Sequence, residues 1–561
     1  MINFLKPYKD RSYKLLAFIL FFSVLVSRRW QQLINPQVWN EDGAPGPITQ
    51  VLRDNGSVIP DYISSGWTSL FESVNGYLII IPKIISIISI NLSFFYYPEI
   101  STTISFLFAT TVCMLIMVCP TYLKMRFLCA IAVLLIPSNT EVFGTPLYTF
   151  WWASLLLFLI ALWDEKSPSV ALRSLFLIIG GLSSPIIFLI LPILYLRVYW
   201  FANARAEKFI AFVATIITLV QFIFFTKNTI NEIPLFSHLF FNSIKIFFGG
   251  FLIGNLISSK LLLFISSIFL FGIIILWLHT YKHIKTTWIL TYLLAGSVAL
   301  VVTRVDILNI DQSASGPRYF FFPFILIYWI LIQFFYLNQS NAIRAFIATI
   351  SITSILNATP VWTRNHDDLR WRDHVNSCPL FTEYLIPIHR DGNSSSTWHL
   401  ELSGNTCTKL LDNQFIIANY RNLNYQTFPF TIHKANWLVT AGDHHSPELI
   451  SSSMPGTDFQ KSKLKNYQVI GTARAQAATT GEVLLKLKRG DRLYYRSGPG
   501  KIGQSLFIVN YEDFYFTKLP VAIDWTILDF SNISLPDEFL VKIIDTSSLI
   551  DDWSAVAIKS K

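Results

Sequence analysis

Residues 318–337 read RYFFFPFILIYWILIQFFYL, and this stretch decides the fold class. After Arg318 no charge appears through Leu337, and a membrane-spanning helix needs about 20 such residues. Comparable apolar segments lie at 14–30, 100–119, 125–138, 146–163, 170–184, 185–199, 208–226, 261–279, 286–303 and 342–358. Composition agrees, with 52% hydrophobic residues, 14% charged and a mean hydropathy of +0.47. Soluble domains run nearer a quarter charged. The expectation is a polytopic α-helical membrane protein of about eleven spans.

Two apolar stretches read ambiguously. Residues 170–199 are interrupted by Gly180-Gly181 and Ser183-Ser184-Pro185, which fits two short helices or a re-entrant pair. Residues 239–257 carry Gly249, Gly250, Gly254 and Asn255, which fits an interfacial or re-entrant element. At the start, Lys6, Lys9, Arg11 and Lys14 precede an apolar run, but Arg28, Arg29 and Trp30 follow where a cleavage site would stand. An uncleaved signal anchor is expected.

Charge sets the orientation. The N-terminal tail is basic, as are the links carrying Lys124 and Arg126, Arg197, Arg205 and Lys208, Lys282 and Lys285, and Arg344. With eleven spans these fall on one face, the cytoplasmic one. The long segment 31–99 is acidic instead, with Glu41, Asp42, Asp54, Asp61, Glu72 and Glu99 against Arg53 and Lys83. Arg28 and Arg29 break the rule at the outer end of the first span. The net charge of +9 is thus topological, and no basic stretch with interleaved aromatics points to a nucleic-acid partner.

From Pro360 onward the sequence turns mixed and strand-like. Runs at 414–418, 437–440, 483–487, 492–495, 505–509, 525–528 and 540–544, punctuated by Gly490, Gly498, Pro499 and Gly500, predict a β-sandwich or jelly roll. Four regions follow: a tail and first helix (1–30), a large outer loop with membrane-surface helices (31–99), a multi-helix body (100–359) and an outer mostly-β domain (360–561). Cys113, Cys119 and Cys129 sit in apolar segments as buried hydrophobes. Cys378 and Cys407 are candidates for a disulfide if their domain faces an oxidising space. No His/Cys spacing fits zinc.

Candidate chemistry lies in the outer loops. Trp39-Asn40-Glu41-Asp42-Gly43 places adjacent acids just above a helix end, where a partly desolvated carboxylate suits general-base work. Asp-Gly is also a common solvated turn. The turn Gly316-Pro317-Arg318-Tyr319 puts an arginine at the mouth of the span, able to pair bidentately with a phosphate or to serve as an interfacial anchor. Arg304 and Lys83 are positioned to add charge to that site. Glu141 precedes Trp151-Trp152 in a third outer loop and has the plain alternative of a loop carboxylate.

Together, Glu41 and Asp42, Gly76 to Lys83, Glu141, Gly181 to Pro185, Arg304 and Gly316 to Tyr319 resemble the polytopic GT-C glycosyltransferases that use polyprenyl-phosphate sugars. The pattern also looks like the serotype-converting O-antigen glucosyltransferases. It departs from the usual Asp-Asp or Glu-x-Asp motif, so the base is Glu41 or Asp42, with Glu41 ranked first. The resemblance implies an enzyme of the bacterial inner membrane with a cytoplasmic N-terminus and a periplasmic C-terminal domain. It would move a sugar, glucosyl by this likeness, from a polyprenyl-phosphate donor to a glycan acceptor such as O-antigen. It assigns the donor phosphate to Arg318, Arg304 and Lys83, and substrate contacts to Glu141, Tyr77 and Tyr319, with no obligatory metal or other cofactor. The closing segment through Trp553 resembles the last strand of lectin-like sandwiches, which implies acceptor-glycan binding, although Trp525 and Trp553 read singly as core aromatics. A transporter or flippase of a lipid-linked glycan is the alternative. Against it stand the absence of an internal repeat, the lack of intramembrane charges, and acids gathered in the first outer loop.

Overall fold

A computed structural model describes residues 11–39, 58–74, 76–167, 169–201, 204–225, 236–257, 259–307, 309–313 and 316–364. In the remainder it describes 369, 371–372, 375, 378, 383–388, 399–415, 430–433, 438–439, 467–471, 481–489, 493–497, 504–509, 516–518, 526–528, 536–545 and 554–559. The chain divides into two compact units: Met1–Ser89 with Tyr97–Asp368, and Ile90–Tyr96 with Leu369–Lys561.

The first unit is helical. In chain order it holds α1 (Arg11–Ile34), α2 (Val58–Ser65), α3 (Ile80–Leu92, whose last turn passes into the second unit), α4 (Tyr97–Val118), α5 (Arg126–Leu134), α6 (Thr149–Ala161), α7 (Val170–Gly181) and α8 (Ile187–Trp200). There follow α9 (Ala204–Phe224), α10 (Phe236–Ser243), a π-helical turn (Ile244–Gly249), α11 (Gly250–Ile253), α12 (Lys260–Thr280), α13 (Lys285–Val302), α14 (Phe321–Leu337) and α15 (Asn341–Ala358). Each expected span contains one of these helices. Six stretches among the described residues are long and apolar enough to cross a membrane: Tyr97–Val118, Arg205–Phe224, Lys260–Thr280, Lys285–Val302, Pro317–Leu337 and Asn341–Val361.

Burial sorts the helices. Every side chain of α6 is buried, and 78% of the apolar window of α14 is too. Helices apolar on all sides belong in the centre of a bundle. By contrast α12 exposes Leu261, Leu262, Ile265, Ile268 and Leu276, and α9 exposes Phe209, Phe212, Leu219, Phe222 and Ile223. In water such faces would forgo about 25 cal/mol for every Å² left uncovered; in lipid they do not. The chain is a multi-pass membrane protein. α7 approaches α6 so closely that a Cβ on Gly180 would lie 2.8 Å from the Ala153 carbonyl oxygen. The 170–199 stretch resolves into two separate helices, α7 and α8. The 239–257 stretch is a helix carrying the π-helical turn, and Asn357 Nδ2 holds its end through the Gly250 carbonyl at 2.7 Å and that of Phe251 at 3.1 Å.

Links within the unit gather at two ends. At one end Arg28 reaches the carbonyls of 134–138, Asn139 N–H donates to the Gln312 carbonyl, and Asn255 Nδ2 donates to that of Pro137. At the other, Tyr122 N–H donates to the Leu162 carbonyl, Gln333 pairs with the Lys124 backbone, and Lys285 reaches the Trp200 carbonyl. A buried charge cluster sits at this second end, at the ends of three helices. Glu207, in the first turn of α9, receives Arg173 at 2.9 and 2.7 Å and Arg197 at 3.0 Å through both Nε and Nη2. Arg197 also donates to the Ala161 and Trp163 carbonyls at 3.0 and 2.8 Å. Two guanidiniums on one carboxylate, with carbonyls completing the shell, make burial tolerable.

The second unit contains a hairpin of β1 (Glu383–Pro387) and β2 (His399–Ser403) followed by α16 (Gly404–Asp412). The Ser403 hydroxyl caps α16 by accepting from Thr406 N–H at 3.1 Å, as helix N-termini require. Cys378 and Cys407 are disulfide-bonded, with Cα atoms 6.0 Å apart. Ten further strands complete the described residues: β3 (Phe430–His433), β4 (Leu438–Val439), β5 (Tyr467–Gly471), β6 (Gly481–Lys488), β7 (Leu493–Ser497), β8 (Gln504–Val509), β9 (Phe516–Lys518), β10 (Thr526–Leu528), β11 (Glu538–Asp545) and β12 (Ser554–Lys559). They form two five-stranded sheets, ordered β10-β7-β12-β5-β4 and β3-β6-β11-β8-β9. Leu485 and Leu487, Leu506 and Ile508, and Val541 and Ile543 are buried at every second position, which gives the second sheet one apolar face. The strand expected at 414–418 does not begin there: Gln414 lies beyond α16, and its Oε1 accepts from the Ser93 hydroxyl at 2.8 Å and Phe95 N–H at 3.3 Å. The rest of that run, together with Trp525 and Trp553, lies outside the described residues.

Candidate functional site

Gly316 holds φ at +70°, a region that a side chain disfavours, and a Cβ there would press within 2.8 Å of the Tyr319 ring. Pro317 then opens a single 3-10 turn, Pro317–Phe320, its ring fixing the backbone for the turn. The result aims Arg318 at the loop between α5 and α6. Its backbone N–H donates to Glu141 Oε2 at 3.2 Å, and its Nη1 donates to Glu141 Oε1. Nη1 also donates to the Tyr148 hydroxyl at 3.1 Å. That hydroxyl in turn donates to Glu141 Oε1 at 2.8 Å and accepts from Trp39 Nε1 at 3.0 Å. One donor and two lone pairs on a phenol are thereby all used. The Glu141 side chain is only 5% exposed, whereas that of Arg318 is 26% exposed. The carboxylate stands behind the guanidinium and holds it toward the open side.

The loop that carries Glu141 is built from the end of α1. Beyond α5 the chain presents backbone carbonyls with no helical partners, and two arginines satisfy them. Arg28 donates to the carbonyls of Leu134, Ile136 and Ser138 at 2.8, 3.0 and 2.7 Å. Arg29 donates to those of Thr140 and Glu141 at 2.5 and 3.2 Å. Aromatic rings line the same region: the Arg29 guanidinium lies 5.6 Å and that of Arg364 5.0 Å from the Trp39 centroid. Arg318 lies 5.0 Å over Tyr319, which makes an edge contact with Trp151 at 6.4 Å.

The structure brings together some of the expected residues and separates others. Glu41 and Asp42 lie outside the described residues, two and three positions past Trp39. Arg318, Tyr319 and Glu141 form one cluster. Tyr77 joins its aromatic margin through Phe150, at 6.1 Å between ring centroids, and Phe150 in turn lies 6.5 Å from Tyr148. Glu141, expected to contact substrate, binds Arg318 through both carboxylate oxygens, with Tyr148 on one of them. Lys83 is likewise not a phosphate ligand in this structure. Its ammonium is buried and donates to Asp61 Oδ2 at 3.1 Å and to the Ser69 and Glu72 carbonyls at 2.6 and 2.8 Å, so its three donors serve α2 and the turn after it. Burial lowers the Lys83 pKa, with Asp61 pulling it back up. Arg304 lies over the Phe225 ring at 4.9 Å.

Sequence reasoning missed Tyr148, Arg364 and the role of Arg28 and Arg29. The arginine pair had left one trace, its violation of the charge rule at the outer end of α1. Tyr148 and Arg364 left none. No group of three or more His, Cys, Asp or Glu side chains able to hold a metal ion occurs among the described residues.

No family model matches this chain. Nor does any curated protein. Among solved structures the chain is similar to the arabinosyltransferase EmbB from Mycobacterium smegmatis, with 10% identity and a TM-score of 0.28. The similarity covers 97% of this chain but only 64% of that one. A score so low decides neither fold nor chemistry, which rest here on the residues themselves.

Proposed function

We propose that the protein is a membrane glycosyltransferase that moves a sugar, glucosyl in our reading, from a polyprenyl-phosphate donor to a cell-surface glycan such as O-antigen. The observation that carries this is Arg318, preorganised by Glu141 and Tyr148 and tied through Trp39 to the start of the acidic segment. Covalent geometry keeps the Glu41 Cα within about 7–8 Å of that of Trp39, and the Asp42 Cα within about 11 Å. This supports our reading of a base and a phosphate-binding arginine in one neighbourhood.

The acceptor hydroxyl oxygen attacks the anomeric carbon as its proton passes to Glu41, or to Asp42. The bond from the anomeric carbon to the phosphate oxygen breaks, and its electron pair leaves with the lipid phosphate, whose charge Arg318 stabilises. Such electrostatic stabilisation is commonly the largest part of catalysis, and the bidentate fork of arginine suits a phosphate. The leaving group is already anionic, so no acid needs to protonate it fully. We read eleven crossings, with the N-terminus in the cytoplasm and the chain after the last crossing on the outer face. The Cys378–Cys407 disulfide supports that side, because such bonds persist in oxidising compartments. The strands of the C-terminal unit are read as a sandwich that engages the acceptor.

Purified protein supplied with polyprenyl-phosphate glucose and an O-antigen acceptor should form the glycoside, and Glu41→Gln or Asp42→Asn should abolish it. Equal transfer by wild type and both variants removes the pair as bases. Movement of the lipid across a vesicle bilayer without any transfer would favour the flippase.

A further inference from the structure

Arg28 and Arg29 are adjacent, fully buried, and bound to the same loop. In a regular helix consecutive side chains point about 100° apart, so two neighbours do not ordinarily serve one target. α1 departs from helical geometry at Arg29, with φ −139° and ψ 38°, and this break lets both side chains face residues 134–141. Their tasks then diverge. Arg28 binds the carbonyls of 134–138 and lies 4.9 Å over Phe143 and 4.6 Å over Trp362. Arg29 binds the carbonyls of Thr140 and Glu141 and lies 5.6 Å over Trp39.

We infer that Arg29 is a positioning residue that sets the spacing between Trp39, which precedes the acidic pair in sequence, and the Glu141–Arg318 pair. It touches both: the backbone of the residue that holds Arg318, and the aromatic ring two positions before Glu41. A planar guanidinium can bond carbonyls at its edge while presenting its face to an aromatic ring. A lysine ammonium has no such fixed plane. The inference rests on the glycosyltransferase reading for its consequence, though not for the contacts themselves.

The test compares Arg29→Lys with Arg28→Lys in the full-length protein in detergent, since Arg28 makes the same kind of bonds without touching Trp39 or Glu141. Both should lower the melting temperature. Arg29→Lys should lower kcat for glucosyl transfer from polyprenyl-phosphate glucose roughly ten- to a hundred-fold with donor KM unchanged, well beyond the loss in Arg28→Lys, because small misplacements carry penalties of that order. It should also speed hydrogen exchange in peptides spanning 37–43 beyond the change in Arg28→Lys. Equal losses in the two variants, or unaltered exchange at 37–43, would overturn the inference. If wild type transfers nothing, the enzyme reading fails, while the exchange measurement still decides whether Arg29 holds the Trp39 segment. Should Arg29→Lys not fold, Trp39→Leu and Trp39→Phe replace it. Phe, which keeps a ring under the guanidinium, should retain at least several-fold more protection than Leu, and equal behaviour would count against the inference.

Discussion

Glu141 and Arg318 are separated by 177 positions, and each has a distinct task. Arg318 faces outward; Glu141 fixes it. Arg318→Lys should therefore lower kcat/KM for transfer about a hundred-fold, equivalent to about 2.7 kcal/mol of transition-state stabilisation, while the protein melts within a few degrees of wild type. Glu141→Gln keeps the shape but loses the charge, and should cost about 1–3 kcal/mol of stability along with activity. A Glu141→Gln protein that melts like wild type would show that the carboxylate does not hold the site. Gly316→Ala adds about 1–2 kcal/mol of left-handed strain and pushes on the Tyr319 ring. Transfer should then fall further than the melting shift alone explains. The turn at Arg318 was legible in the sequence because Gly-Pro dictates local geometry. The partnership with Glu141 was not, because nothing in either local stretch encodes a contact made across so much chain. Lys83 was misjudged for a related reason: besides Asp61, its acceptors are the Ser69 and Glu72 backbone carbonyls, which carry no sequence signature.

Helices were the most legible elements, since an apolar run long enough for a bilayer has few other fates. The ambiguous runs yielded to detail that hydropathy does not carry, such as the Asn357 side chain holding the end of α11. Buried charge was the principal failure at this scale. Arg197 reads as a link charge by position, yet it closes with Arg173 and Glu207 between α7, α8 and α9. Glu207→Gln leaves two guanidiniums facing each other without a counter-charge, and should destabilise the fold by about 3–5 kcal/mol. Thermal melts in detergent check this. Because the cluster lies at the end of the bundle away from Arg318, kcat of the surviving folded fraction should match wild type. A selective loss of turnover without a melting shift would mean that the cluster takes part in the reaction.

For the whole molecule, the strand-rich composition after Pro360 was legible, but the unit boundary was not. Hydropathy places a border where α15 ends, whereas the second unit also claims Ile90–Tyr96 from the outer loop. Trp371 Nε1 donates to the Phe94 carbonyl at 3.1 Å, and Phe415 N–H donates to that of Asn91 at 2.8 Å. The Cys378–Cys407 bond closes a separation of 29 residues in the unit that contains this seat and should contribute about 2–4 kcal/mol. Replacing both cysteines with serine should lower the melting temperature and open residues 90–96 to proteolysis; an unchanged cleavage pattern would show that the bond does not secure the seat. A gene that traded its last third for a foreign one would leave that seven-residue piece behind without its complement. Inheriting a new tail together with its seven-residue piece takes three crossovers, not one.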